Sequence, residues 1–524
     1  MARIVALASA AALAVFLAAS VWMARLDRAG PAHADVMLEG GVPASVYLPD
    51  EGEERSAFLD PPPREARPPA VVVVHGFAGD RLSMSGFSRR LAAAGYAVLA
   101  IDARGHGQNR NAFARSWAAA DSFFPDLRAA VDFLRAYPFV DGSRIALLGH
   151  SMGAGASLDY ATRDSGIDAA VLISGGWRLE GPYRPPNALF LYAAGDPDFT
   201  KDRARELAAR LAGLEVLWPD SSHGRPERHD AVRLYEVAGA NHQTIIWSED
   251  AVRESLAWLD AAFGIERPGT AGPTPDDPRA PLLVLLGVAF LLVLPGLGLL
   301  VGQLVPRAEA RPGEDRALGL LALAAAFALT VPLLATGVPG AVLSVEVGDA
   351  VVSHFALAGI ALLVAIRLRR PALLEGLLER PLAVLPGVAV GLVGLFLLAQ
   401  PIAVVVHRAT LTPERALVFA AATLGLLPLT LAFNLLLRRG ATASATLTAL
   451  AGRVLILLVL FAGVKAGVLD FVLLFMLPTL AAVCLLFEAL ASALYAASRN
   501  LLAIALLDAA WLAFVTAAVM PVRF

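Results

Sequence analysis

From residue 281 onward the chain is dominated by apolar runs of membrane-crossing length, and their recurrence restricts the possible folds more than any other feature. The runs fall at about 281–305, 317–336, 349–366, 382–406, 416–437, 454–468, 471–490 and 501–520. About 20 apolar residues in a helix cover the roughly 30 Å hydrocarbon core of a bilayer, and a soluble domain has no place for eight such segments. An all-α transmembrane bundle of about eight helices is therefore expected over 281–524. The sixth run is short, and only Lys465 to Asp470 separate it from the seventh, so this pair reads as two helices or as one broken hairpin. A further run, residues 4–23, has Arg3 before it and Arg25 and Arg28 after it. Residues 1–28 thus form an N-terminal anchor or a signal segment. The small-x-small site Ala32-His33-Ala34 lies about ten residues past the apolar run, farther than cleavage sites usually fall, which favours the anchor.

The residues between these segments have another character. The first 280 residues hold 28 Lys/Arg and 35 Asp/Glu, and the remaining 244 hold 15 and 11, so the charged fraction halves at this boundary. A globular domain over 35–265 precedes the helices, joined to them by a Pro/Gly-rich linker at 266–280. The net charge of -3 gives no basic footprint, which argues against a nucleic acid partner. The single cysteine, Cys484, lies within an apolar run, so no disulfide framework or cysteine-rich metal site is expected. Threading the chain with residue 1 in the cytoplasm puts eleven loop arginines inside, Arg307, Arg367 and Arg438 among them. Only Arg408, Arg415, Lys465 and Arg523 fall outside. That bias follows the positive-inside rule and places the globular domain outside the cytoplasm, in a multi-pass protein of the cell membrane.

Within 35–263, short β-branched or apolar runs alternate with stretches of helical length, the pattern of an α/β domain with a largely parallel sheet. Strands are expected at 70–74, 97–101, 144–148, 169–173, 188–193 and 232–237, and helices at 124–136 and 200–213 among others. One transition carries chemistry. The strand RIALL runs into Gly149-His150-Ser151-Met152-Gly153 and then into the small-residue helix AGASLDYA. This is G-x-S-x-G in a strand-turn-helix context, where small residues let strand and helix pack closely around a strained serine. The turn exposes the Ser151 hydroxyl at a helix N-terminus, where developing negative charge is favoured.

A serine hydroxyl needs a base to take its proton and an acid to orient that base. Both follow in chain order: the strand ALFLYAAG ends at Gly195-Asp196-Pro197-Asp198, and VRLYEVAG ends at Ala240-Asn241-His242. All three sites lie past the C-terminal ends of strands, where open α/β sheets place their sites. On these residues the segment from about 35 to 263 resembles the α/β-hydrolases, in particular the dienelactone-hydrolase-like and small esterase branches. The resemblance implies Ser151, Asp198 and His242 as the catalytic set, with Asp196 as the alternative acid. It also implies an oxyanion hole made by the amides of Phe77, in VVVVHGFAGD, and of Met152. His75 reads as a brace of that loop, and Asp102-Ala103-Arg104-Gly105-His106-Gly107 as a structural turn and not a metal site. His223 and His229 read as solvated loop residues. No cofactor or metal is expected.

Only about 15 residues separate strands 169–173 and 188–193, too few for a helical cap, so the site should be open. Trp177, Tyr183 and Phe77 are candidates for an acyl pocket, or else ordinary packing. An open site beside a bilayer suits bulky or lipid-like esters, or peptides. The expected partners are thus the lipid bilayer and an ester or acyl substrate. In the helices, Asp508, His354, Asn434 and Glu488 raise the question of a proton or substrate path, with interhelical bonding as the plainer account. Three readings follow: a membrane-integrated serine hydrolase working through an acyl-enzyme on Ser151; an acyltransferase using the same triad; and a transporter or sensor whose hydrolase-like domain only binds a ligand.

Overall fold

The computed structural model describes residues 2–49, 61–113, 123–176, 179–266, 277–309, 312, 315–335, 343–377, 379–407 and 409–523. The chain divides into two compact units. One comprises the chain up to Trp22 with Leu282–Ile402 and Ala409–Met520; the other comprises Met23–Pro281, Ala403–Arg408 and Pro521–Phe524.

The second unit is built on one sheet. Its strands are β1 (His33–Leu38), β2 (Val42–Tyr47), β3 (Ala70–Val74), β4 (Ala97–Ile101), β5 (Ile145–His150), β6 (Ala169–Ile173), β7 (Ala188–Ala193), β8 (Ser221–His223) and β9 (Val232–Val237). Their spatial order is β1-β2-β4-β3-β5-β6-β7-β9-β8. From β4 to β9 every pairing is parallel, and the antiparallel strands β1, β2 and β8 lie at the two edges. All six sequence-expected strands are present to within a residue or two. The three strands not expected are the antiparallel ones: β2, between β1 and β4, carries Pro43, and β8 is only three polar residues long.

The parallel strands are apolar without a break because both faces of the sheet are covered. In β3, Val71 and Val73 point toward α2 (Ser85–Ala93) and α6 (Glu249–Phe263), whereas Ala70, Val72 and Val74 pack toward α3 (Phe124–Ala136). The helices α4 (Met152–Ala161) and α5 (Asp198–Ala212) complete that second face over β6, β7 and β9. Parallel strands all end on one side, so the loops after β3, β5, β7 and β9 cluster there.

The other unit is helical. The chain opens with α1 (Ala2–Ala29), and beyond residue 278 come α7 (Arg279–Leu304), α8 (Arg316–Ala335), α9 (Gly348–Arg369), α10 (Leu385–Val406), α11 (Pro413–Leu437), α12 (Thr442–Lys465), α13 (Val472–Ser498) and α14 (Leu501–Val519). Among the described residues eight helices are long and apolar enough to cross a membrane, α1 included; α8 has a shorter apolar stretch, Arg316–Val331. The sixth and seventh apolar runs are two full helices, because α12 begins twelve residues before its apolar run, in the small-residue stretch TASATLTALAGR. Most of the linker expected at 266–280, residues 267–276, lies outside the described residues.

Candidate active site

The turn between β5 and α4 holds Ser151 at φ 53°, a region that a residue with a Cβ enters only at a cost of about 1–3 kcal/mol. Its backbone is held on both sides: the Ser151 amide donates to Ile173 O at 2.7 Å, and its carbonyl accepts from Gly155 N at 3.1 Å. The flanking glycines are dictated by contact. A Cβ on Gly149 would stand 2.2 Å from Gly153 O, and one on Gly153 would stand 2.3 Å from Val74 O. Backbone cannot yield as a side-chain end can, so the strand meets the helix only with hydrogens at these two positions.

The loop after β9 brings His242 to this serine. The Ser151 hydroxyl donates to His242 Nε2 at 3.0 Å, and His242 Nδ1 donates to Asp196 Oδ1 at 2.6 Å. Asp196 sits in the tight turn after β7, where its other oxygen accepts from Ser174 Oγ at 2.6 Å and from the Ala193 amide at 2.7 Å. Burial pushes the Asp196 carboxyl up, but the hydrogen bonds and charge of His242, with those from Ser174 and Ala193, outweigh it and hold the group below the usual carboxylate value. Asp196 is therefore an anion that fixes the imidazole tautomer in which Nε2 accepts from the Ser151 hydroxyl. His150 supports the same ring from behind by donating from Nε2 to the His242 carbonyl at 2.8 Å. Burial, with the nearby His242, pushes the His150 pKa down to about 3, so it remains a neutral strut.

The family model described as serine aminopeptidase, S33 matches residues 66–203. A cutinase of Thermobifida fusca, cut1, is 31% identical over 272 residues, which is 48% of this chain and 76% of the cutinase. The chain belongs to the α/β-hydrolase family. A quorum-quenching protein, AidA of Acinetobacter baumannii, is 30% identical over 130 residues, but the match spans only 42% of its length. Among solved structures, an esterase from Pyrobaculum calidifontis aligns with a TM-score of 0.30 at 19% identity, covering 48% of this chain and 90% of the esterase. A hypothetical protein from Pseudomonas aeruginosa aligns with a TM-score of 0.32 at 16% identity, covering 44% and 94%.

Within this α/β-hydrolase unit the sequence-expected residues do not all converge. Asp198, the acid implied by resemblance, is not at the imidazole: it opens α5 with its side chain 91% exposed and pairs with Lys201 at 3.0 Å. The turn in which Asp196 donates its amide to Ala193 O aims residue 196 inward and leaves residue 198 on the first turn of the helix. His223 and His229 are exposed on and after β8. His75 is fully buried; its Nδ1 donates to Gly76 O at 2.7 Å and its Nε2 accepts from the Ala103 amide at 3.1 Å, which ties the loop after β3 to the loop after β4. Asp102 is ion-paired with buried Arg81 and also accepts from the amides of Arg81 and Gln108, both at 2.9 Å.

Met152 begins α4, so its amide belongs to the helix's first turn, whose donors have no intrahelical acceptor. Phe77, Phe113 and Phe123 pack with Met152 and Ala103 into an apolar shelf beside this turn, with Phe77 and Phe113 edge-to-face at 6.0 Å. Val522 lies across the same loop: its amide donates to Gly105 O, and its carbonyl accepts from the Phe113 amide, each at 2.8 Å. Tyr183 is not at the serine. Its amide bonds Thr162 O, at the far end of α4. Trp177 lies outside the described residues. Sequence reasoning missed His150, Ser174 and Phe113. Position two of the pentapeptide could have pointed to His150, but no sequence signal marks the other two.

Three of the four polar residues singled out in the helices meet. Arg438 Nε donates to Asn434 at 2.6 Å and Arg438 Nη2 to Glu488 at 2.6 Å, while Arg453 bridges Glu488 at 3.1 Å and Asp508 at 2.9 Å. His354 stands apart, with its ring edge-on to Phe327 at 5.1 Å.

Proposed function

We propose that the protein is a membrane-integrated serine hydrolase that cleaves carboxylic esters, lipid-like ones included, through an acyl-enzyme on Ser151. One observation carries this reading: the unbroken hydrogen-bond chain from Ser151 through His242 to Asp196. A protein that only binds a ligand has no use for such a relay. The cutinase relative supports ester hydrolysis as the reaction.

His242 Nε2 takes the hydroxyl proton as Ser151 Oγ adds to the ester carbonyl carbon. Asp196 stabilises the imidazolium that forms without itself taking the proton. The oxyanion is met by the amides of Met152 and Phe77, where one such donor is worth on the order of 10² to 10³ in rate. Collapse breaks the ester C–O bond, and His242 returns the proton to the leaving alcohol. Water then repeats the sequence on the acyl-enzyme. The shelf of Phe77, Phe113 and Phe123 offers the acyl chain an apolar surface.

Membrane integration rests on the eight long apolar helices and on their outward faces. On α7 the exposed residues Val284, Val288 and Leu292 recur every four positions, an apolar stripe that suits lipid and not water. The charge bias of the loops supports a hydrolase unit that faces away from the cytoplasm.

A fluorophosphonate probe tests the reading on full-length protein in detergent. Wild type should label and hydrolyse p-nitrophenyl acyl esters, and Ser151→Ala should do neither, with turnover down on the order of 10⁴-fold or more. Equal labelling of the two proteins would remove Ser151 as the nucleophile.

A further inference from the structure

Away from the triad, the end of α1, the start of α7 and α2 line an open cavity of about 280 Å³. That is well above the roughly 10–15 Å³ that a single water needs. Leu26 and Ala29 to Pro31 line one side, Asp277 to Arg279 another, and Arg89 and Arg90 of α2 form the floor.

The charges do not balance. Arg89 donates to Asp27 at 3.0 Å and to the carbonyls of Leu26 and Asp27. Arg279 is held by Asp277 through two bonds of 2.7 and 2.6 Å and reaches Ser85 O at 3.2 Å. Among the described residues two carboxylates thus hydrogen-bond two arginines, and the third arginine has no carboxylate bonded to it. Arg90 is 7% exposed, and its Nε and Nη1 have no hydrogen-bond partner among the described residues. A guanidinium cannot shed its proton to escape such a site, and a buried charge without a partner costs several kcal/mol. Such a cost is retained where a ligand repays it.

We propose that this cavity is an anion subsite that takes a phosphate ester or phosphate group, with the Arg90 guanidinium as its principal donor. A guanidinium presents a planar fork of N–H groups that matches two phosphate oxygens, and Arg89 and Arg279 add positive potential from either side. The acids Asp27 and Asp277 are already committed to their own arginines, so a bound anion faces net positive charge. Two sources share this chemistry: the headgroup of an anionic lipid and free phosphate. The cavity lies where two helices of membrane-crossing length, α1 and α7, end and begin, which is the level of lipid headgroups on the membrane reading above. The lipid source rests on that reading; the site itself rests on neither that reading nor Ser151.

The test uses full-length protein purified in a phosphate-free maltoside buffer, in two arms. In one, inorganic phosphate is titrated and the melting temperature followed; in the other, phosphatidylglycerol is added and bound lipid counted by native mass spectrometry. Saturable binding of one equivalent is expected in at least one arm. Arg90→Gln should weaken it about tenfold or more, and Arg90→Lys, which keeps the charge but not the fork, severalfold. Binding of lipid alone identifies a headgroup site, and a rise in melting temperature with inorganic phosphate identifies a site for the free ion. Without either probe, Arg90→Gln should melt at or above the wild-type temperature, since it removes an unpaired buried charge. The proposal is overturned if neither probe binds, or if both Arg90 variants bind as tightly as wild type.

Discussion

Asp196 and Asp198 stand two residues apart in one turn, and only the first can reach the imidazole. The sequence offers both because each follows the same strand. What separates them is the direction of a side chain in a turn only four residues long, and no periodicity encodes that. Asp196→Asn should lower kcat on the order of 10³ to 10⁴-fold by letting His242 settle in the wrong tautomer, whereas Asp198→Asn should stay within about twofold; steady-state ester hydrolysis compares them. In the same assay His242→Ala should lose all activity and His223→Ala should not. His150 gives a prediction in pH. Its folded pKa, about 3, lies below the unfolded value of about 6.5, so the unfolded chain binds the extra proton first. The stabilisation is therefore complete above about pH 6.5 and lost as the pH falls toward 3, by on the order of 4–5 kcal/mol. Melting temperatures from pH 7 to 3 should fall more steeply for wild type than for His150→Gln, and parallel slopes would remove this role.

At the scale of elements, the buried parallel strands were legible because a sheet covered on both faces demands continuous β-branched and aliphatic runs, as in Ala70–Val74 and Ala188–Ala193. The hairpin β1–β2 at one side of the sheet was not, because it carries Pro43 and polar residues, Asp35 and Ser45 among them, that read as loop. The elbow was legible for a different reason: contact with neighbouring backbone forces its glycines, so the motif records geometry directly. Gly153→Ala would drive a methyl against Val74 O and separate α4 from β3. The expected cost is about 1–3 kcal/mol, read as a lower melting temperature, together with loss of fluorophosphonate labelling as Ser151 shifts. Labelling and stability both at wild-type levels would show that the elbow has slack which the distances deny it.

For the whole molecule, charge and apolar length pointed to a division near residue 280 and to about eight helices beyond it; among the described residues seven of those are long enough to cross a membrane, and α8 has a shorter apolar stretch. How the helices satisfy their few charges was not readable, because Arg438, just past α11, and Arg453, Glu488 and Asp508, of α12, α13 and α14, pair only in three dimensions. Two measurements belong here. Leu214→Cys, at an exposed position of the hydrolase unit, should react with a membrane-impermeant maleimide in intact cells, and protection until lysis would reverse the orientation. Glu488→Ala would leave two arginines short of their shared carboxylate and should destabilise the helical unit by about 3–5 kcal/mol, seen as a lower melting temperature and poor yield. The same ladder bears on biogenesis. On the membrane reading, Arg438 at the end of α11 and Arg453 of α12 emerge from the ribosome before the acids that pair with them, Glu488 of α13 and Asp508 of α14, have been made. These helices are thus better held beside the insertion machinery than released singly into lipid, and a chain stalled before α14 leaves Arg453 without Asp508, a defect that quality-control proteases can recognise.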